Sequence, residues 1–218
     1  MKLRILTQSS QFLRFLITQA RARETNATEF RELLRKIGLF FGYEIANINM
    51  LEYEEVNVTT PMNADHHGVR LCNNVVVVSS FEDADYFAAG IRDVFPLALV
   101  GKIDALRTYA EGRWRAPIQK AELPKEVPPE SAVVIAKAIL ASGCTAISLI
   151  GKTLEIVKPK SMIVAAIIAH QDACHEIAKE YPYVSMEFMI GEMDPVLDEK
   201  GYVIPGIGNI SDRLGRSV

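Results

Sequence analysis

Apolar residues recur along this chain in two patterns, one typical of helices and one typical of buried strands. Within residues 9–46 they recur every three or four positions, which predicts two amphipathic helices. Farther along, aliphatic runs predict strands, and the stretches behind the first three have helical character. The predicted strand and helix pairs are 75–78 with 83–94, 132–135 with 146–157, and 162–169 with 171–181, before a last strand at 184–190.

This alternation of strands and helices predicts an α/β fold, with a mostly parallel sheet flanked by helices on both faces. We expect a single domain over residues 1–218, with its core at 70–190 and its ligands at the carboxyl ends of the strands. Residues 107–130 contain several prolines and are expected to form a flap outside the regular alternation. Part of that stretch is equally compatible with a solvated linker.

Residues 191–214 do not follow either pattern and are predicted to form a shaped loop. Three glycines and one proline fall within residues 201–208. Glycine permits positive φ angles and a close approach of the backbone to a ligand, and proline fixes its own φ. The alternative is a Gly/Pro-rich tail without a binding role.

Composition narrows the classes of partner. The formal net charge of −3 provides no general basic field for a nucleic-acid backbone, so we expect small ligands and no nucleic acid. The three cysteines have no paired spacing, and the four histidines do not have the spacing of a metal site. With no secretory signal pattern and no apolar run long enough to span a bilayer, we expect a cytoplasmic protein that does not bind membranes.

The glycine-rich loop resembles the nucleobase-binding loop of the uracil phosphoribosyltransferases, and residues 29–38 resemble an early helix of that family. The resemblance implies a phosphoribosyltransferase-like fold that binds uracil or UMP. It also implies that the loop recognises the pyrimidine through its backbone. The positions that carry over are Tyr202, Val203, Gly208 and Ile210.

A second likeness covers residues 141–145, where the family holds the 5′-phosphate of its donor. Loop N–H groups and the positive end of a helix dipole converge in such a segment. The corresponding residues here are Ala141, Ser142, Gly143, Cys144 and Thr145. A plain helix cap formed by Ser142 or Thr145 is the alternative.

The charged positions that contact the donor in the family are mostly changed in this chain. Arg107 matches a family arginine, whereas Glu82 stands at the position of an arginine and Glu122 at that of a lysine. Lys137 and Asn209 stand at positions of aspartates. We expect Glu82 and Lys137 to face each other and to form an ion pair, with two solvated loop residues as the alternative.

These changes lead to a specific functional expectation. We expect a uracil phosphoribosyltransferase homologue that binds uracil or UMP with weak or absent phosphoribosyl transfer, acting as a sensor or as a non-catalytic partner of an active relative. The alternative is an active enzyme of pyrimidine salvage that makes UMP and diphosphate, and magnesium is expected only in that case. A structural oligomer without a ligand is a third hypothesis. The resemblance also implies a homo-oligomer, either a dimer or a tetramer.

Overall fold

A computed structural model describes residues 2–216 of the protein. Residues 1, 217 and 218, which the predicted domain also includes, lie outside the described residues. The strands are β1 Lys2–Ile5, β2 Tyr53–Thr59, β3 Asp65–Leu71, β4 Val75–Ser80, β5 Leu99–Ala105, β6 Thr108–Ala110, β7 Arg113–Arg115, β8 Ile118–Glu122, β9 Ala132–Ala136, β10 Ile139–Leu140, β11 Ser161–Ala169, β12 Met186–Met193, β13 Val196–Leu197 and β14 Val203–Ile204. The helices are α1 Gln11–Arg21, α2 Ala27–Ala46, α3 Phe87–Val94, α4 Cys144–Leu154, α5 Gln171–Glu180 and α6 Ile210–Arg213.

The main sheet has the strand order β1-β12-β11-β9-β4-β5-β8, with β10 beside β11. Its neighbouring strands run parallel except for β5 and β8, which are antiparallel. The chain moves from β4 outward to β5 and then returns to β9 on the other side of β4. Such a reversal opens a crevice at the carboxyl ends of the two strands that flank it.

Helices cover both faces of the sheet, as the sequence predicts. Helices α1, α2 and α3 pack on one face, and α4 and α5 pack on the other. Successive residues of β4 alternate between these two cores, because side chains of a strand point to opposite faces. Val75 and Val77 contact the first helices, whereas Val76 and Val78 contact the second group. The predicted α/β fold with a mostly parallel sheet is therefore confirmed.

Two predicted boundaries need correction. The helix expected from residue 83 begins at Phe87, because residues after β4 form turns in which the Asp83 carboxylate is bound by Ser80 and Ala138. The sheet also contains β1, which lies outside the predicted core of residues 70–190. Lys2 and Arg4 of β1 form ion pairs with Glu187, a carboxylate that is almost fully buried in β12.

The expected flap region is partly regular. Strands β6 and β7 form a short separate hairpin, and β8 returns to the main sheet beside β5. The predicted C-terminal loop is framed by the small β13–β14 pair and by the single-turn helix α6. Between residues 2 and 216, no helix is long and apolar enough to cross a membrane.

Candidate functional site

A pocket of about 650 Å³ opens at the carboxyl ends of β4 and β9, where the sheet order reverses. Three stretches that the sequence singles out contribute to its walls: the loop after β4, the phosphate loop (residues 141–145) and the nucleobase loop (residues 191–214). The fold thus brings together segments that are far apart in the chain. Its polar and apolar walls suit a small ligand with a charged end and a ring.

The phosphate loop leads directly into helix α4. Gly143 has φ of 81° and precedes the first helical residue, Cys144. A side chain at this position would be strained by the positive φ and would meet Ala173 on α5. The N-terminus of α4 therefore faces the pocket, where its free N–H groups and dipole favour an anion. The structure gives no cap to this helix from a Ser or Thr side chain.

Within the same loop, the Ser142 hydroxyl lies 3.2 Å from the Cys144 sulfur. Cys144 is buried and lines the pocket, while Ser142 and Thr145 are half-buried. The predicted phosphate residues Ala141 to Thr145 thus form one continuous wall of the pocket.

The predicted nucleobase residues also line the pocket. Val203 and Ile210 are buried and contribute to the core, whereas the Tyr202 ring is 40% exposed. Gly208 has φ of 80°, and its backbone turns beneath the Arg213 side chain. Buried side chains and glycine backbone of this loop thus both contribute to the pocket lining.

An ion pair between α1 and residue 194 holds the nucleobase loop in place. Arg21 contacts both carboxylate oxygens of Asp194, at 2.9 and 2.6 Å, and donates to the Gly206 carbonyl at 2.7 Å. Asp194 in turn accepts a hydrogen bond from the Gly206 N–H at 2.7 Å. The backbone N–H and C=O of Gly206 are thus both fixed by charged side chains. The hydrophobic pattern of the sequence did not indicate these contacts.

Elsewhere in the pocket wall, Glu82 and Lys137 form the ion pair that the sequence predicts, with 3.6 Å between the Lys137 amine and the Glu82 carboxylate. Lys137 lies closer to Asp83, at 2.8 Å. Burial lowers the pKa of Lys137, but the two carboxylates outweigh this effect and the net pKa is above its usual value. The ammonium therefore remains charged at neutral pH.

Asp83 is a residue of this site that the sequence analysis missed. Its carboxylate is fully buried and accepts hydrogen bonds from Ser80, Lys137 and the Ala138 N–H. The sequence did contain a signal for it. Asp83 follows the fully apolar start of β4, and Lys137 follows β9, the strand beside β4. Since two carboxylates flank it, Lys137 is fixed on the wall of the pocket.

Glu82 also reaches the nucleobase loop, because the Ser211 hydroxyl donates a 2.6 Å hydrogen bond to its carboxylate. Glu82 and Lys137, which depart from the family pattern, are thus connected to Ser211. They join the loops behind β4 and β9 to the C-terminal segment.

The remaining predicted donor positions are placed differently. Asn209 lines the pocket and caps α6, where its side chain accepts from the Asp212 N–H. Arg107 lines the pocket, but it donates to the carbonyls of Gly201 and Lys200. Glu122 does not belong to the pocket wall: because β8 runs antiparallel to β5, it lies exposed at the outer edge of the sheet, beside Lys120.

No group of three or more His, Cys, Asp or Glu side chains among residues 2–216 is arranged to hold a metal ion. The three cysteines are free thiols.

Comparison with known proteins agrees with this geometry. A family model described as uracil phosphoribosyltransferase matches residues 7–215. The uracil phosphoribosyltransferase of Sulfolobus acidocaldarius is 30% identical over 213 residues, covering 94% of this chain and 96% of the relative. That of Thermococcus sibiricus is 29% identical over 206 residues, covering 94% of this chain and 86% of the relative. The solved structure of the AQ2163 protein from Aquifex aeolicus has a TM-score of 0.85 at 26% identity, covering 98% of both chains.

Proposed function

The chain belongs to the uracil phosphoribosyltransferase family, and from this premise we propose that it binds uracil and UMP in the pocket and makes UMP from uracil and phosphoribosyl diphosphate. One observation supports the proposal. Residues 141–145 and residues of the 191–214 loop line one and the same pocket, at the point where the sheet order reverses. A nucleoside monophosphate has a phosphate at one end and a base at the other, and each suits one of these two loops.

In this proposal, the phosphate loop binds the 5′-phosphate. The N-terminus of α4 supplies backbone N–H groups and the positive end of a helix dipole, and Ser142 and Thr145 add hydroxyl donors. The pyrimidine lies against the nucleobase loop, where Gly208 takes a positive φ and contributes to the pocket lining. Tyr202 covers the ring from the open side.

Phosphoribosyl transfer forms a bond from a uracil nitrogen to the sugar C1 while the C1–O bond to the diphosphate breaks, and the proton of that nitrogen passes to the departing diphosphate or to water. Positive charge develops on the sugar, and the departing diphosphate carries magnesium as part of the donor substrate. Oriented charges contribute most of the rate acceleration in such reactions. Lys137 is a fixed cation on the pocket wall, and Glu82 beside it is an anion that opposes the diphosphate.

We therefore expect slow transfer. Loss of one oriented electrostatic group commonly costs about 10² to 10³ in rate. The family membership and the names of the relatives support retained activity.

The ion pair favours a second candidate function, in which the protein binds UMP without making it. Glu82, Asp83 and Lys137 satisfy one another, so that the region expected to receive the donor charges is already neutralised in part. A protein of this kind would act as a sensor or as a partner of an active relative.

Calorimetric titration of uracil, UMP and magnesium phosphoribosyl diphosphate, together with an assay of labelled uracil conversion, distinguishes the two functions. Binding of all ligands with conversion to UMP supports the transferase. Binding of UMP without donor binding or conversion supports the second function. If neither uracil nor UMP binds, both proposals are wrong.

A matched pair of glycine variants tests the binding site itself. Gly208→Ala and Gly112→Ala both place a side chain at positive φ, which costs about 1–2 kcal/mol. Only Gly208 lines the pocket, whereas the region around Gly112 in the β6–β7 turn is open. A Cβ at position 208 would also press on the Arg213 side chain at 3.3 Å, whereas a Cβ at position 112 would meet no neighbouring atom. We expect the resulting shift of the pocket wall to weaken UMP binding by about fivefold, or about 1 kcal/mol, in Gly208→Ala and to leave it unchanged in Gly112→Ala. Equal affinities in the two variants would place UMP elsewhere.

A further inference from the structure

Arg107 connects the β6–β7 hairpin to the nucleobase loop. Its guanidinium donates a 2.8 Å hydrogen bond to the Gly201 carbonyl, and a longer one, of 3.4 Å, to that of Lys200. The same group lies 4.8 Å from the centre of the Trp114 ring and 5.4 Å from that of Tyr202. Both distances are within the range of a cation–π contact.

Gly201 makes this arrangement possible. Its φ is 74°, and a side chain there would approach the Trp114 ring to 2.9 Å. The indole of the hairpin therefore packs directly on the backbone of the nucleobase loop. A residue with a side chain at position 201 would separate the two segments.

The hairpin is held from its other side as well. Tyr109 packs against Trp114 with 5.0 Å between the ring centres. Behind β7, the Ala116 carbonyl accepts a 2.6 Å hydrogen bond from Ser148 on α4. Trp114 is thus positioned by groups of the hairpin and of the helix that follows the phosphate loop.

These contacts give Arg107 a role besides the one that the family pattern implies for it. Its N–H groups are directed to main-chain carbonyls of the nucleobase loop, and its face lies over two aromatic rings, so that the guanidinium is held by the loop and the hairpin. Tyr202, which follows those carbonyls, lines the pocket. We propose that Arg107 is a positioning residue for the nucleobase loop, which acts through Trp114 and Tyr202 and thereby sets affinity for the pyrimidine.

The structural part of the proposal is testable without any ligand, because Trp114 is the single tryptophan of the chain. Its fluorescence therefore reports on the hairpin alone. We expect Arg107→Ala to shift the emission to longer wavelength and to increase quenching by acrylamide, since the indole loses its cover. Arg107→Lys keeps the charge but loses the planar fork, so that an intermediate spectrum is expected.

Arg113→Ala is the matched control, because it removes the same charge from an exposed position of the same hairpin. Its emission and quenching should equal those of the parent protein. If Arg107→Ala also equals the parent protein, the positioning role is wrong.

The functional part of the proposal rests on the proposed binding of UMP, and it compares UMP with ribose 5-phosphate, which lacks the base. We expect Arg107→Ala to weaken UMP about tenfold, in line with a lost charged hydrogen bond, and to leave ribose 5-phosphate unchanged. A parallel loss for both ligands would show that Arg107 binds the sugar phosphate, and it would overturn the proposal. If the parent protein binds no UMP, the proposed function fails, and the fluorescence comparison alone decides whether Arg107 positions the loop.

Discussion

At the scale of single residues, the carboxylate of Glu82 has two partners from different parts of the chain. Ser211 donates to one of its oxygens at 2.6 Å, and the Lys137 amine lies 3.6 Å from the other. Because an anion at this place would repel a diphosphate, we expect the charge of Glu82 to oppose the proposed donor binding.

We expect Glu82→Gln to raise the affinity for magnesium phosphoribosyl diphosphate by roughly tenfold, because like charges placed against each other cost on the order of 1 kcal/mol or more. The amide retains a partner for Ser211, and the Lys137–Asp83 pair stays intact. Calorimetry measures the change. Glu122→Gln removes the same charge at an exposed position beside Lys120 and should have no effect. An equal gain in both variants would point to net charge instead of a local contact.

The sequence allowed the pairing of Glu82 with Lys137 to be predicted, because both residues depart from the family pattern with opposite signs. It did not allow Asp83, the carboxylate closest to Lys137, to be predicted. Asp83 lies next to Glu82, and which of two adjacent carboxylates turns inward depends on the backbone turn behind β4. That turn is fixed by tertiary contacts of Asp83, including the Ala138 N–H.

At the scale of elements, helix α1 has a role that its amphipathic pattern does not reveal. Its last residue, Arg21, joins α1 to the nucleobase loop through Asp194 and Gly206. The Asp194 side chain is 3% exposed. Removing the partner of a buried carboxylate strongly lowers the stability of the folded protein.

We expect Arg21→Ala to lower the free energy of unfolding by about 3 kcal/mol, as for other buried ion pairs that lose one partner. We also expect faster hydrogen exchange at the Gly206 N–H, because the carboxylate that holds it is no longer fixed. Denaturant unfolding and exchange measured by mass spectrometry check the two effects. Arg14→Ala, an exposed position on the same helix, is the control and should change neither. Protection of residues 203–208 that survives in Arg21→Ala would contradict the anchoring role.

The elements themselves were predictable where periodicity is strong and long. Helices α1, α2, α4 and α5 and strands β4, β9, β11 and β12 lie within a few residues of the predicted positions. Strand β1 was missed, because four residues with two cations do not show the apolar run of a buried strand. Its place in the sheet depends on ion pairs with Glu187, and the sequence near residues 2–5 does not indicate that partner.

At the scale of the whole molecule, three groups link stability to alkaline pH. Burial raises the pKa of Cys174 to about 12 from 9.0. Burial and the nearby Glu180 also raise the pKa of Tyr181. The pKa of Lys137 is raised overall by its carboxylate partners, although burial opposes them. In each case the folded protein holds its proton to higher pH than the unfolded chain does, so that the free energy of unfolding falls as pH rises above about 9.

We expect Cys174 alone to account for a loss of about 2 kcal/mol between neutral pH and pH 10.5, since one pKa unit corresponds to about 1.4 kcal/mol. Denaturant unfolding at a series of pH values measures it. Cys174→Ala should show a shallower decline with pH, whatever its stability at pH 7. Cys72→Ala, at an exposed thiol, should keep the decline of the parent protein. A decline that is equally steep in Cys174→Ala would assign the effect to other groups.

The division into one domain, the oligomeric state and the binding roles of the pocket residues remain predictions. What the sequence specified well is the alternation of strands and helices, because helices that connect parallel strands pack on the two faces of a mostly parallel sheet. What it specified poorly are contacts between distant loops, such as that of Arg107 with Gly201. These contacts depend on side-chain directions that periodicity does not encode.

Strand β1 pairs with β12, and its lysine and arginine neutralise a buried glutamate near the other end of the chain. During synthesis on a ribosome, residues 2–5 emerge long before Glu187 exists. Strand β1 can therefore join the sheet only after β12 has been made. Until then the first residues have no strand to pair with. A chain released before β12 is made would leave the edge of β11 open to pairing with other chains.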